Sequence, residues 1–176
     1  MDAEQQPPEP QEPAAQGAEE PQLQRVLTIA RTRLGFAALR EEAVRRVEAE
    51  RLLGHELEFV IASPVAAARR TATGKDNSVT LRLAGHLADE IAERWQQAGL
   101  RAEPRLGEQG FEATVFSLMR SVTDPSPAAV MIALPPPSMG ERLHLRRQLV
   151  ARLRTRLTVP ILPVATPEYD ESTADT

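Results

Sequence analysis

Two uncharged apolar runs, Ala129-Val130-Met131-Ile132-Ala133-Leu134 and Val159-Pro160-Ile161-Leu162-Pro163-Val164, flank a stretch with helical spacing. This unit constrains the fold more than anything else in the chain. A run without charge or alternation is buried on both faces, and two such runs joined by a helix form a parallel pair with a crossover. Between them, Pro135-Pro136-Pro137 stops the first strand, and Leu145, Leu149, Leu153 and Leu157 set the buried stripe of a helix over 140–157. Proline removes a ladder hydrogen bond, so Pro160 and Pro163 place the last strand at or near a sheet edge.

The same reading extends upstream. Leu57–Ala62 is a strand ended by Pro64. Ala84, Leu87, Ala88, Ile91, Trp95 and Ala98 define a helix over 78–98, with Asn77 or Ser78 as its cap and Gly99 at its left-handed end. Arg101–Leu106 is a polar strand, placed at an edge by Pro104, and Phe111–Met119 is a short helix. Phe36, Leu39, Ala43, Val44 and Val47 share one helical face. Val26–Ala30 fits either a preceding strand or the start of that helix, and a continuous or kinked helix is the preferred reading. Residues 23–53 are thus an N-terminal helix or a βα pair. The expectation is a three-layer α/β domain over 23–166, with a mostly parallel sheet of four to five strands and helices on both faces. Residues 1–22 carry six acidic side chains, five prolines and no Lys or Arg. They are expected to be a disordered tail, as is 167–176.

The composition narrows the chemistry. There is no cysteine, which excludes disulfides, thiolate metal sites and cysteine nucleophiles. No apolar run reaches the roughly 20 residues of a membrane span. The N-terminus lacks the pattern of a signal peptide. The expectation is a soluble, cytoplasmic protein. His55, His86 and His144 have no partner at metal-ligand spacing. No serine sits in a nucleophile elbow. Gly74-Lys75 fails as a phosphate loop, because Arg69 and Asp76 stand where glycine and Ser/Thr are needed. Arg69, Arg70, Lys75 and the amides from Ser78 onward remain a candidate anion contact. The helix at 140–157 holds six arginines against one glutamate. An overall pI of about 5.5 and the lack of an aromatic platform argue against nucleic acid as its partner.

Phe59–Pro64, the helix at 78–98, Phe111–Arg120, Ala128–Pro137 and Thr158–Val164 together resemble the universal-stress-protein type of α/β fold. The C-terminal third is most similar to the cytosolic C-terminal domain of cation–chloride cotransporters and related amino-acid permeases. That resemblance implies a regulatory, dimerising domain without catalytic activity. ATP-binding stress proteins carry an acidic residue after the first strand and a glycine-rich loop after the penultimate one. Here Ala62-Ser63-Pro64 and Leu134-Pro135-Pro136-Pro137 hold those places, which speaks against ATP. The functional expectation is a non-enzymatic association domain with no cofactor and no metal. Its partner would be a second copy or another protein, a membrane transporter among the candidates, met through Ile161, Leu162, Arg146 and Arg147. The alternatives are a small-ligand or nucleotide sensor using Arg69, Arg70, Lys75 and Ser78, and a nucleic-acid binder using the arginine helix.

Overall fold

The computed structural model describes residues 21–65, 76–134 and 140–166, with side chains described for all of these except 76–78 and 140–146. Five strands alternate with four helices: β1 (Gln22–Ile29), α1 (Arg33–Arg51), β2 (His55–Val65), α2 (Asp76–Gln97), β3 (Arg101–Gln109), α3 (Phe111–Ser121), β4 (Pro127–Leu134), α4 (Gly140–Arg156) and β5 (Ile161–Ala165). The sheet order is β3-β2-β1-β4-β5, and all four pairings are parallel. This is the α/β sheet the sequence calls for. The disorder expected of 1–22 and 167–176 falls on residues outside those described, apart from Pro21 and Gln22, and Gln22 already pairs with His55 as β1 begins.

β1 corrects the preferred helical reading of Val26–Ala30. Successive side chains of a strand alternate between faces. Val26 and Ala30 enter one core cluster, Leu27 and Ile29 the other, and Val26 to Ala30 are all buried. A central strand covered on both faces shows no alternation of polarity, and that hides it in a sequence. The break from the helix comes at Ala30–Thr32, ahead of Gly35. Thr32 is extended (φ −135°, ψ 157°), and its hydroxyl accepts from the amide of Gly35 at 3.0 Å, capping α1. Gly35 lies inside the first turn, where a Cβ would stand 3.0 Å from the Cβ atoms of both Ala30 and Ala133. Its missing side chain lets α1 lie close against β1 and β4.

The helices divide between the faces. Phe36, Leu39 and Ala43 of α1 and Ala88, Ile91, Ala92 and Trp95 of α2 pack on one side. Val115 and Leu118 of α3 and Val150 and Leu153 of α4 pack on the other, flanked by Leu149 and Leu157. Trp95 meets Phe59 edge to face, with ring centroids 5.4 Å apart, an arrangement that adds about 0.5–1.5 kcal/mol beyond area burial. α2 ends at Gly99 with φ +82°, where the amide of Leu100 donates to the carbonyl of Trp95 at 3.0 Å, the wrap expected of a glycine-ended helix.

Both edge strands carry proline, Pro104 in β3 and Pro163 in β5. Pro64 does not end β2, contrary to the sequence reading. The β1 partner runs out at Ala62, and pairing to β3 skips from Ser63–Leu106 to Val65–Gln109. Pro64 therefore sits in a bulge facing one neighbour, where its missing N–H leaves no ladder bond unmade. Gly107 fills the bulge: a Cβ there would overlap the carbonyl oxygen of Ser63. Beyond it, the buried Thr114 hydroxyl lies 2.9 Å from the amide of Glu108, from which it accepts, and within 3.0 Å of the carbonyls of Glu108 and Gly110.

This corner can be probed by two substitutions. Gly107→Ala forces β2 and β3 apart and is expected to cost about 1–3 kcal/mol, read as a fall in the urea midpoint. An unchanged midpoint would rule out the close approach. Thr114→Val keeps the shape and leaves the Glu108 amide without its partner, for about 1–3 kcal/mol. Equilibrium unfolding of that variant at wild-type stability would show that the amide is satisfied by water.

Candidate functional site

In a sheet of this order β1 is the turning point. The chain moves outward through β2 and β3, then returns to the other side of β1 as β4. The helices that follow β1 and β4, α1 and α4, therefore pack on opposite faces, and ligands of such sheets bind in the crevice at the carboxyl ends where the order reverses. The described wall of this crevice is Ala30-Arg31-Thr32 and the first turn of α1.

The turn is held from both sides. Ala30 donates its amide to the carbonyl of Ala62 at 3.4 Å. The Thr32 side chain satisfies Gly35, and its carbonyl accepts from Phe36 at 3.1 Å. The amides of Arg33 and Leu34 have no intrahelical acceptor, as at any helix start, and they carry the positive end of the α1 dipole. The chain changes from strand to helix between Arg31 and Arg33, so the two side chains diverge. The Arg31 guanidinium lies 4.8 Å from the ring centroid of Phe111, at the head of α3. Arg33 reaches α2, donating from Nε and Nη2 to the two carboxylate oxygens of Glu90 at 3.2 and 2.6 Å. Glu90 also pairs with Arg94 at 2.7 Å. The Arg33 hydrogen bond is the main reason the Glu90 carboxyl is held below its ordinary range, and Glu90 in turn raises Arg33. A depressed carboxyl stays ionised as pH falls through the usual carboxylate range, so this pair persists at neutral pH and is lost only in more acidic solution. Arg31, Thr32, Arg33, Leu83, His86 and Glu90, with Leu87, line an open depression of about 350 Å³.

This arrangement can hold an anion. Among the described residues no three His, Asp or Glu side chains group as metal ligands. The buried polar side chains among the described residues, Thr28, Ser63 and Thr114, lie outside the depression, and no buried polar side-chain atom among the described residues lacks a partner. A second open depression, of about 420 Å³, lies at the amino ends of β1–β3 among Val47, Arg51, His55, Leu57, Leu100 and Arg101. There His55 pairs with Glu50 and Arg101 with Glu56.

The residues singled out by the sequence lie elsewhere. Arg69, Arg70 and Lys75 fall outside the described residues, as do Pro135–Pro137. Ser78 lies in α2 and Arg146 in α4, in segments whose side chains are not described. Arg147 is exposed. Arg152 and Arg156 pair with Glu112 at 3.8 and 3.3 Å, and Arg156 lies over Phe116, so part of the basic face is turned onto α3. Ile161 is buried in the α3–α4 cluster, and Leu162 is half-buried against the opposite one. The sequence does not single out Arg31, Thr32, Arg33, His86 and Glu90 as a site. A helical reading of Val26–Ala30 removes the strand end that brings them together. β1 also makes Ala30-Arg31-Thr32, and not Ala62-Ser63-Pro64, the segment that follows the first strand, and it holds an arginine.

No protein-family model matches the chain, and no curated protein matches it significantly. No helix among the described residues is long and apolar enough to cross a membrane. Among solved structures, a protein from the universal stress protein family from Burkholderia pseudomallei is 16% identical, with 80% of this chain and 94% of that one covered at a TM-score of 0.49. A universal stress protein in complex with cAMP is 17% identical, with 82% and 98% covered at a TM-score of 0.46. The likeness to transporter cytosolic domains is not shown by these comparisons, which set universal stress proteins beside this five-stranded α/β chain.

Proposed function

We propose that this protein is a non-catalytic sensor that holds a small phosphate-bearing ligand in the depression after β1. The observation that carries the reading is the pair Arg31 and Arg33 at the carboxyl end of the central strand, beside the open amides of α1. Guanidinium groups offer planar, charge-assisted donors to phosphate oxygens, and a helix start adds amides and a favourable dipole. Leu83 and Leu87 give the depression an apolar side for the rest of the ligand. The lack of a carboxylate in Ala30-Arg31-Thr32 weighs against a base-anchored nucleotide, so ATP–magnesium is expected to give no saturable heat at micromolar concentration.

The test is thermal unfolding with inorganic phosphate, AMP and cAMP. A ligand that binds only the folded state at about 100 times its Kd adds about 2.7 kcal/mol, several degrees for a domain of this size. At least one of the three is expected to raise the midpoint, and Arg31→Glu is expected to remove the rise while leaving the unliganded midpoint near wild type. No rise from any of them at millimolar concentration rejects the reading.

A second reading, self-association, is favoured by β5. It is an edge strand in which Pro163 and Ala165 are exposed and only Ile161 is buried. Edge strands are places of association, and the prolines direct it through side chains. Sedimentation at tens of micromolar is expected to show a dimer that Ala165→Arg makes monomeric without unfolding, whereas Ile161→Asp unfolds the core. A monomeric wild type rejects this reading.

A further inference from the structure

Arg33 is already occupied by an anion, and that anion belongs to the protein. Both Glu90 oxygens accept from Arg33, at 3.2 and 2.6 Å, in the two-pronged geometry that a phosphate would use. We propose that Glu90 is an internal competitor that sets the affinity of the depression, releasing Arg33 to a ligand and taking it back when the ligand leaves; this rests on the anion-binding reading above.

Three observations make the exchange feasible. Arg33 is exposed, with 67% of its side-chain surface open, so it can swing without disturbing the core. Glu90 has a second cation, Arg94 at 2.7 Å one helical turn further on, so the carboxylate keeps a partner when Arg33 departs. Glu90 also lines the same depression as Arg31, Thr32 and Arg33, so the two destinations of Arg33 are within reach of one side chain. An exposed ion pair contributes little on its own, which makes the exchange easy and keeps the competition partial. Arg31, which lies over Phe111 and has no carboxylate partner among the described residues, supplies the cation that is open to the ligand from the start.

Calorimetric titration of inorganic phosphate and AMP into the full chain tests this with Glu90→Gln, Arg33→Gln and the double variant. Removing the competitor is expected to tighten binding about two- to fivefold, the range set by an exposed ion pair. The gain is expected to vanish in the Arg33→Gln background, since no guanidinium is left to release. Equal tightening with and without Arg33 would show that Glu90 acts only by repelling the ligand and would overturn the competition. Wild-type binding that Glu90→Gln leaves unchanged or weakens overturns it too, with the anion-binding reading intact. If neither the wild type nor Glu90→Gln binds either probe, the competition falls, and the anion-binding reading falls with it where cAMP also leaves the thermal midpoint unchanged. The Glu90→Gln thermal midpoint, expected close to wild type, separates a binding effect from a folding one.

Discussion

The burial of β1 on both faces is the constraint on which the rest of the structure depends. Val26, Leu27, Thr28, Ile29 and Ala30 have almost no exposed surface, and each side needs its own helical layer. α1 and α2 cover one side, α3 and α4 the other. A fully buried aliphatic side chain contributes about 1.5–3 kcal/mol, so the central strand holds both layers to one sheet. Its backbone is paired on both flanks, to β2 and to β4, and that leaves the outer positions to β3 and β5, which hold Pro104 and Pro163.

Helix and strand meet closely at this centre. Gly35 brings α1 onto Ala30 and Ala133, and at the far side Gly107 brings β3 onto the Ser63 carbonyl. In both places a small residue sets a distance that a methyl group would change. At the amino end of the sheet, Arg25 ties β1 to its neighbours instead, donating to Glu58 of β2 and to the carbonyl of Asp124, each at 2.6 Å. The hydrogen bond to Glu58 is the main reason Arg25 titrates above its ordinary value. The pair is half-buried and in register, which makes it a stronger tie than the exposed pairs on the helices.

Legibility in the sequence followed the physics of each element. β4 was readable because an uncharged run followed by prolines fits little besides a buried strand, and α2 because its apolar steps of three and four end at a glycine; β5 was readable as an edge strand from its prolines, but the burial on both faces expected of its uncharged run is not found, since only Ile161 is buried. β1 was not readable, because a strand buried on both faces loses its period of two, and the helical pattern beginning at Phe36 absorbs it. Pro64 misled in the opposite direction. Proline stops a strand with two partners, but β2 has one partner at that point and a glycine opposite. The site was missed for the first of these reasons. Arg31 and Arg33 look like ordinary surface arginines until the strand before them is placed at the centre of the sheet, and their partners Phe111 and Glu90 are distant in sequence. Thr32 was the available signal: a hydroxyl residue three before Gly35, at the junction of an apolar run and an amphipathic one, is where a helix start belongs.

The position of the arginines then follows from the order of the strands. The strand order reverses at β1, and among the described residues the turn after it has side chains that reach both helical layers. Arg31 reaches α3, and Arg33 reaches α2. Either contact alone would be an ordinary surface interaction. Together they make the turn a bridge between layers that the core otherwise keeps apart, with a positive helix end at its middle. An anion bound there would meet a part of the surface whose side chains already answer to both halves of the domain. On the proposed reading, a ligand at this turn shifts the balance between the layers only by as much as its affinity differs between their arrangements.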